Sequence, residues 1–518
     1  MGRRIRWLGV ILILCFALVL VQLANVQFRK ASALANSKNN PKNFVAHLDN
    51  TRGDILAADG TVLAYSEKAT SGSYKYQRVY PLGPLTSQVV GFDSLIYGTT
   101  GVESVYNQYL VAHHQAAKTI GQLLSPPPET TDNVTLTIVP SLQRVAQQEL
   151  ADLPGPNRDG AVVAINPTTG AIEAMYSSPT YDPNPLASPT SAGENLGDVA
   201  YLGKDAEGFS PSSPIALREV FPPGSTMKVV TSTAVYNLKP QLSNFVWPNP
   251  LQPATGPASA CIALPHSNKL LCNDGGSPCG GNMTLMLPQS CDPGYGALGM
   301  ALGGKTLWQQ AAAFGYDQVP PIDIPGAVAS NFPTPAELGP AQLGQPGQAY
   351  SAIGQQDVEA TALQNCLVAA GIANGGVVMT PHVMAEVRSS DGTLVASYQP
   401  TPWKTAATQQ AAGQVTPLMQ AVVTSGTASG VGFPSILNAA VKTGTAQRQA
   451  PGQVEETDDW MIGFAPANDP KIAIAVVVPY QPYSAYGATI AGPIVKAMME
   501  AALSLPTNSA PAPPASQP

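Results

Sequence analysis

Charge is scarce in this sequence: Asp, Glu, Lys and Arg make up 11% of its 518 residues, against roughly a quarter in ordinary soluble domains. The net charge of −7 gathers into no basic block, so a nucleic-acid partner would find no electrostatic footprint. Histidine is scarcer still. His47, His113, His114, His266 and His382 are scattered without a pair at metal-ligand spacing, which argues against a zinc centre. Glycine (47) and proline (50) are plentiful, and they point to many turns and loops. A chain of this length can bury more than one core, so two folded domains with tails are expected.

One long hydrophobic run is present, and it lies at the N-terminus. After the basic start Met1-Gly-Arg-Arg-Ile-Arg, residues Trp7 to Phe28 contain no charged side chain. As a helix this stretch reaches across a bilayer core of about 30 Å. A cleaved signal peptide is the competing reading, with Ala33-Leu34-Ala35 as its cleavage box. That box lies beyond Arg29 and Lys30, and the apolar run is long for a signal. The expectation is therefore an uncleaved anchor over 7–28 with residues 1–6 as a cytoplasmic stub. Charges on the two sides of the run nearly balance, but only six residues precede it, so nearly all of the chain is expected beyond the span of a single-pass membrane protein.

Beyond the anchor, residues 29–155 read as a first extracytoplasmic module. Asp54-Ile55-Leu56-Ala57 and Thr61-Val62-Leu63-Ala64 flank the turn signal Asp59-Gly60, a hairpin pattern. Asn133 to Ile138 alternates like a strand, and Ser141 to Leu150 has helical spacing with Ser141 as its cap. A second module is expected over 156–505. Ala161 to Ile165 and Ala171 to Tyr176 read as paired strands, and Pro222-Pro223-Gly224 opens a helix from Thr226 to Leu238. Trp247 to Gly281 is a Pro/Gly/Cys-rich excursion. Further helices are expected over Thr306–Phe314 and Thr361–Ala373. Strands follow over Ala439–Ala446, Trp460–Ala465 and Ile472–Val478, then a closing helix over Ile494–Leu503. This order gives an α+β fold, an antiparallel sheet packed between helices. Residues 506–518 form a Pro/Ala/Ser tail of disordered composition.

Three short motifs carry chemistry. Ser225-Thr226-Met227-Lys228 places a hydroxyl and an amine one helical turn apart at a helix start. A serine needs a base to take its proton, and a desolvated lysine is neutral enough to serve. Ser290-Cys291-Asp292 offers a hydroxyl that could relay a proton to a leaving amine. Lys442-Thr443-Gly444-Thr445 lies on an expected strand, where Lys442 and the hydroxyls of Thr443 and Thr445 can hold a carboxylate. Gly444 would let a substrate backbone approach, and the Thr445 amide could complete an oxyanion hole. Each motif alone is weak. Ser290 follows Ser225 by 65 residues and Lys442 follows it by 217, an order shared with β-lactamases and penicillin-binding proteins.

With these motifs the chain resembles a class B penicillin-binding protein. Further segments carry the resemblance: Arg52-Gly53-Asp54-Ile55-Leu56, Arg78-Val79-Tyr80-Pro81, Gly98 to Glu103, Gly160 to Asn184, Ala352 to Gln355 and Ala373 to Gly376. The resemblance implies a penicillin-binding transpeptidase fold preceded by an extended N-terminal pedestal module and a transmembrane helix. It also implies a serine-type D,D-transpeptidase acting on peptidoglycan stem peptides in cell division or cell shape, inhibited covalently by β-lactams. Ser225 would be nucleophile, Lys228 base, Ser290 and Asp292 the middle catalytic motif, and Lys442 to Thr445 the substrate-binding strand. No cofactor is implied. A SEDS-type glycan polymerase is the implied partner, beside the membrane. The family usually has Asn where this chain has Asp292. A carboxylate beside Lys228 favours its protonated form, so a catalytically impaired scaffold that activates a polymerase stands as the alternative. A serine β-lactamase is disfavoured because no Glu-x-x-x-Asn base follows Ser290.

Six cysteines complete the reading. Cys15 falls inside the expected span, and Cys366 sits among apolar residues of a helix as a buried free thiol. Four remain, with three possible pairings. Cys261–Cys272 and Cys279–Cys291 both close short loops, neither spanning the other, and are the expected bridges. The second would tether the excursion to the Ser290 motif.

Overall fold

The computed structural model describes residues 2–24 and most of 50–504. Met1 and residues 25–49, 71–74, 95–96, 114–128, 156, 189–196, 198–199, 249–259, 339–344, 449–454 and 505–518 lie outside the described residues. The end of the expected span, the charges after it and the C-terminal tail fall in those segments. Residues Gly2–Ala24 form helix α1, several of whose side chains also lie outside the described residues. Among the described residues no helix is long and apolar enough to cross a membrane.

The first sheet begins with β1 (Ile55–Leu56) and β2 (Val62–Lys68), antiparallel about Asp59-Gly60 as the pattern predicts. Gly60 adopts φ 82°, and the Asp59 side chain accepts from the Thr61 amide at 2.9 Å, the local chemistry that makes Asp-Gly a turn. β3 (Tyr76–Val79) continues this edge, while β4 (Asp132–Leu136) lies parallel to β1. Beneath these strands, three separate sequence segments converge on one buried carboxylate. Glu103 accepts from Arg52 Nη2 at 2.8 Å and from Arg78 Nε at 2.6 Å, with the Tyr80 hydroxyl also donating. Glu103 is fully buried, so its charge is tolerable only because both guanidinium groups meet it.

Helix α2 (Pro140–Ala151) follows. Its start differs from expectation: Val139 is the N-cap, with no side-chain cap, and Ser141 lies inside the helix. Pro140 explains the shift, because its fixed φ suits the first helical position, where its missing N–H costs nothing.

The central sheet contains β5 (Gly160–Ile165) and β6 (Ile172–Ser178). The middle of the chain supplies helices α3 (Met227–Leu238), α4 (Asp292–Leu302) and α5 (Ala362–Ala373). The chain then makes β7 (Met384–Ser389) and β8 (Leu394–Ser397), which return to the first sheet and give it the order β8-β7-β4-β1-β2-β3. Finally β9 (Ala440–Arg448), β10 (Glu456–Ala465) and β11 (Ile472–Pro482) complete the central sheet, ordered β9-β10-β11-β5-β6 and antiparallel throughout. Helix α6 (Gly487–Ser504) closes the described chain. β10 and β11 are buried at nearly every position, the signature of strands covered on both faces. α5 lies against β5, β10 and β11, and α6 lies against β9, β10 and β11 with α2 beside it. α5 is buried at nearly every position, Gln364 and Asn365 included, as suits a core helix, and Thr361 caps it by accepting from the Gln364 amide.

Candidate active site

Ser225 occupies a tight turn, Gly224–Thr226, that runs straight into α3. The turn is pinned from three sides. Gly224, at φ 52°, donates to the Gly354 carbonyl at 2.9 Å, Trp460 Nε1 donates to the Pro222 carbonyl at 3.0 Å, and the Thr226 hydroxyl donates to the Pro223 carbonyl at 2.8 Å. The nucleophile candidate is thus held against the sheet rather than on a free loop.

Lys228, fully buried, reaches four acceptors. Its Nζ lies 2.9 Å from Ser225 Oγ, 2.6 Å from the Ser290 carbonyl, 3.2 Å from Ser290 Oγ and 2.6 Å from Asp292 Oδ1. Burial pulls the Lys228 amine below its ordinary value, and Asp292 opposes that pull. Ser290 sits at φ 54°, a left-handed conformation that costs a non-glycine residue about 1–3 kcal/mol. That conformation aims its carbonyl at Lys228 while its hydroxyl meets both amines, with Lys442 Nζ at 2.9 Å. Lys442 also donates to the Thr443 carbonyl at 2.9 Å. Burial, then the neighbouring Lys228 charge, push Lys442 well below its ordinary value, with Asp292 opposing. A continuous chain, Ser225–Lys228–Ser290–Lys442, therefore joins the three motifs.

These residues open into a cleft of about 770 Å³, lined by Ser225, Ser290, Asp292, Thr443 and Thr445. β9 is the edge strand of the central sheet, so its outer side is not covered by another strand. Gly444 has a packing reason of its own in the structure. A Cβ there would stand 2.8 Å from the Pro223 carbonyl and 2.9 Å from Thr226 Cγ2. The glycine admits the turn that carries Ser225 against the strand.

The opposite wall comes from the excursion, which is more ordered than its composition suggests. Cys261–Ala263 and Leu270–Cys272 pair as a ribbon, joined by a Cys261–Cys272 disulfide, and Ile262, Leu264 and Leu271 are buried. A second disulfide joins Cys279 to Cys291, the middle residue of the Ser290 motif. Cys366 is buried and unpaired, donating towards the Val163 and Ala473 carbonyls, and burial pushes its thiol far above the ordinary range. Cys15 on α1 is also unpaired. Away from the cleft, Asp159, Asp205 and Glu207 bring carboxylate oxygens within 4.8 Å of one another. Burial, then repulsion from Asp205, raises Asp159 to about 6.

Comparison with known proteins identifies the family. Residues 160–500 match the penicillin binding protein transpeptidase domain, and residues 52–134 match the penicillin binding protein A dimerisation domain. The chain belongs to the class B penicillin-binding proteins. It is 34% identical over 510 residues to the peptidoglycan D,D-transpeptidase PbpA of Mycolicibacterium smegmatis, covering 94% of this chain and 96% of that one. The solved ceftriaxone acyl-enzyme of penicillin-binding protein A from M. tuberculosis is 32% identical, with a TM-score of 0.75 over 89% of this chain and 99% of that chain. Penicillin-binding protein 2 of Pseudomonas aeruginosa is 27% identical, with a TM-score of 0.67 over 87% of this chain and 95% of that chain.

Sequence reading missed several neighbours in this penicillin-binding protein. Asn273 Oδ1 accepts from the Asp292 amide at 3.1 Å, fixing the start of α4 from the excursion. Thr427 shares a hydrogen bond with the Thr443 hydroxyl at 2.7 Å. Asp459 stands across the β9–β10 ladder from Thr445. Asn273, next to Cys272, was the one with a local signal, since a polar residue at a stapled ribbon's end often satisfies backbone. Thr427 and Asp459 had none.

Proposed function

We infer that this chain is a penicillin-sensitive peptidoglycan D,D-transpeptidase working through a Ser225 acyl-enzyme. The observation that carries the reading is the buried Lys228 amine, 2.9 Å from Ser225 Oγ and displaced towards its neutral form. Neutral Lys228 takes the Ser225 proton as Oγ attacks the penultimate D-Ala carbonyl of a stem peptide. The Ser225 and Thr445 amides hold the oxyanion. Lys442, Thr443 and Thr445 hold the terminal carboxylate. The C–N bond then breaks, and the proton passes from Lys228 through the Ser290 hydroxyl to the departing D-Ala amine. An amine of a neighbouring stem attacks the ester, gives up its proton along the same path, and leaves a cross-link with Ser225 restored.

Asp292 opposes Lys228 neutrality without overcoming burial, which speaks against the impaired-scaffold alternative. Membrane anchorage rests on the uncharged run from Trp7 to Phe28. As a helix, the 23 residues Gly2–Ala24 extend about 34 Å. A SEDS-type polymerase would then contact α1 and the first sheet. Labelling with a fluorescent penicillin tests the core of this reading: the adduct should map to Ser225 and vanish in Ser225→Ala without a change in thermal melt. Labelling that persists in that variant overturns it.

A further inference from the structure

Among the described residues, neither oxygen of the fully buried Asp459 carboxylate has a partner in good hydrogen-bond geometry. A group like this is rare in folded proteins and calls for a role. It lies directly across the β9–β10 ladder from Thr445, so both side chains leave the same face of the sheet. The first residue of α6 caps the pair, with the Gly487 amide donating to Thr445 Oγ1 at 3.0 Å. Thr445 in turn lines the cleft. A hydroxyl accepts two hydrogen bonds and donates one. One accepting position on Thr445 is taken by Gly487, which leaves one acceptor and the proton to be assigned.

We propose that Asp459 is a positioning residue for the substrate's terminal carboxylate, acting through the direction of the Thr445 hydroxyl proton. The proposal rests on the transpeptidase reading above. When the Asp459 carboxyl carries a proton it donates to Thr445 Oγ1, and the threonine's own proton turns into the cleft to meet a carboxylate. When Asp459 is ionised it attracts that proton away from the cleft and sets a negative charge behind the binding strand. Burial, opposed by the Thr445 hydroxyl and reinforced by Asp458, lifts Asp459 to about 7, so both states are reached near neutrality. The charged and titratable groups on the elements packed around it include Lys442 and Arg448 on β9, Asp458 on β10, Tyr480 on β11, and Lys496 and Glu500 on α6. Among these, Asp458 is the one that shifts it.

The test is Ser225 acylation by a D-Ala-D-Ala-ended thioester donor, followed from pH 6 to pH 8.5. In the wild-type chain the apparent affinity for the donor should weaken about fivefold between pH 7 and pH 8, as the protonated fraction falls. The limiting acylation rate should carry little of that change. Asp459→Asn presents an N–H at every pH, so its affinity should stay level over the same range. A donor whose terminal carboxylate is a methyl ester should show no such limb with the wild-type chain, a check that needs no variant. An Asp459→Asn profile that superimposes on wild type, or an equal limb with the ester donor, overturns the proposal while Ser225 labelling leaves the transpeptidase reading standing. Loss of Ser225 labelling in the wild-type chain would instead remove that reading.

Discussion

At the residue scale, the unusual feature is the Asp292 carboxylate 2.6 Å from the amine proposed as the base, Lys228. Burial and Asp292 act on Lys228 in opposite directions, with burial the larger. Asp292→Asn removes the opposing influence and restores the residue usual in the resembled family. The sign follows directly: without the carboxylate the Lys228 value falls further, its neutral fraction at a given pH rises, and the rising limb of acylation moves to lower pH. The rate at neutral pH should stay within about tenfold, the effect of roughly 1.4 kcal/mol on a barrier. A pH series of penicillin acylation for the two chains checks both points. A collapse of acylation in the variant would mean that the carboxylate itself carries a proton in the reaction.

At the scale of elements, two joints hold the site together. The first is the turn before α3 laid on β9, where Gly444 leaves no room for a methyl group between the strand, Pro223 and Thr226. Gly444→Ala should cost about 1–3 kcal/mol of stability as an overpacked contact. It should slow acylation as well, because the atoms displaced belong to the turn carrying Ser225. Thermal melts and penicillin acylation rates together would reveal it; a variant with a normal rate would show that the turn yields without moving Ser225. The second joint is the Cys279–Cys291 bridge, which fastens the excursion to the residue between Ser290 and Asp292. A loop of this size restricts the unfolded chain by about 3 kcal/mol. Replacing both cysteines by serine should lower the melting temperature and slow acylation, since Ser290 holds its left-handed conformation inside that loop. The same exchange at Cys261 and Cys272 should lower stability with a smaller effect on rate.

For the whole molecule, the first sheet is not a separate appendage. β7 pairs along β4, from Met384↔Leu136 to Ser389↔Asp132, so late strands complete a sheet begun near residue 55. Asp323 reinforces the joint, accepting from the Tyr106 hydroxyl at 2.7 Å and from the amides of Val383 and Met384 at 2.7 and 3.0 Å. A chain shortened to begin at residue 156 would leave β7 without β4 and Asp323 without Tyr106. It should melt at lower temperature than the longer chain and aggregate through the bared strand edge. Melting and light scattering on the two chains provide the comparison, and equal behaviour would mean the two sheets fold independently.

Much of this could be read locally. Asp59-Gly60 determined its hairpin, the continuous apolar run of residues 161–165 its buried strand, and Pro222-Pro223-Gly224 the start of α3, because turn chemistry and local apolar patterning act over a few residues. The three short motifs that the fold brings together were legible for the same reason, each being a short string of reactive groups. What the tertiary structure decided lies between distant residues. The meeting of Arg52, Arg78 and Glu103, the return of residues 384–397 to the N-terminal sheet, the role of Gly444 and the place of Asp459 across from Thr445 all depend on which strand pairs with which. Pairing over hundreds of residues is selected by burial of whole faces, and no single stretch of sequence carries that information. The direction in which the Lys228 amine is displaced was likewise undecidable from its neighbours in sequence. Asp292 alone argues for a charged amine, and only the full burial of Lys228 lets desolvation outweigh it.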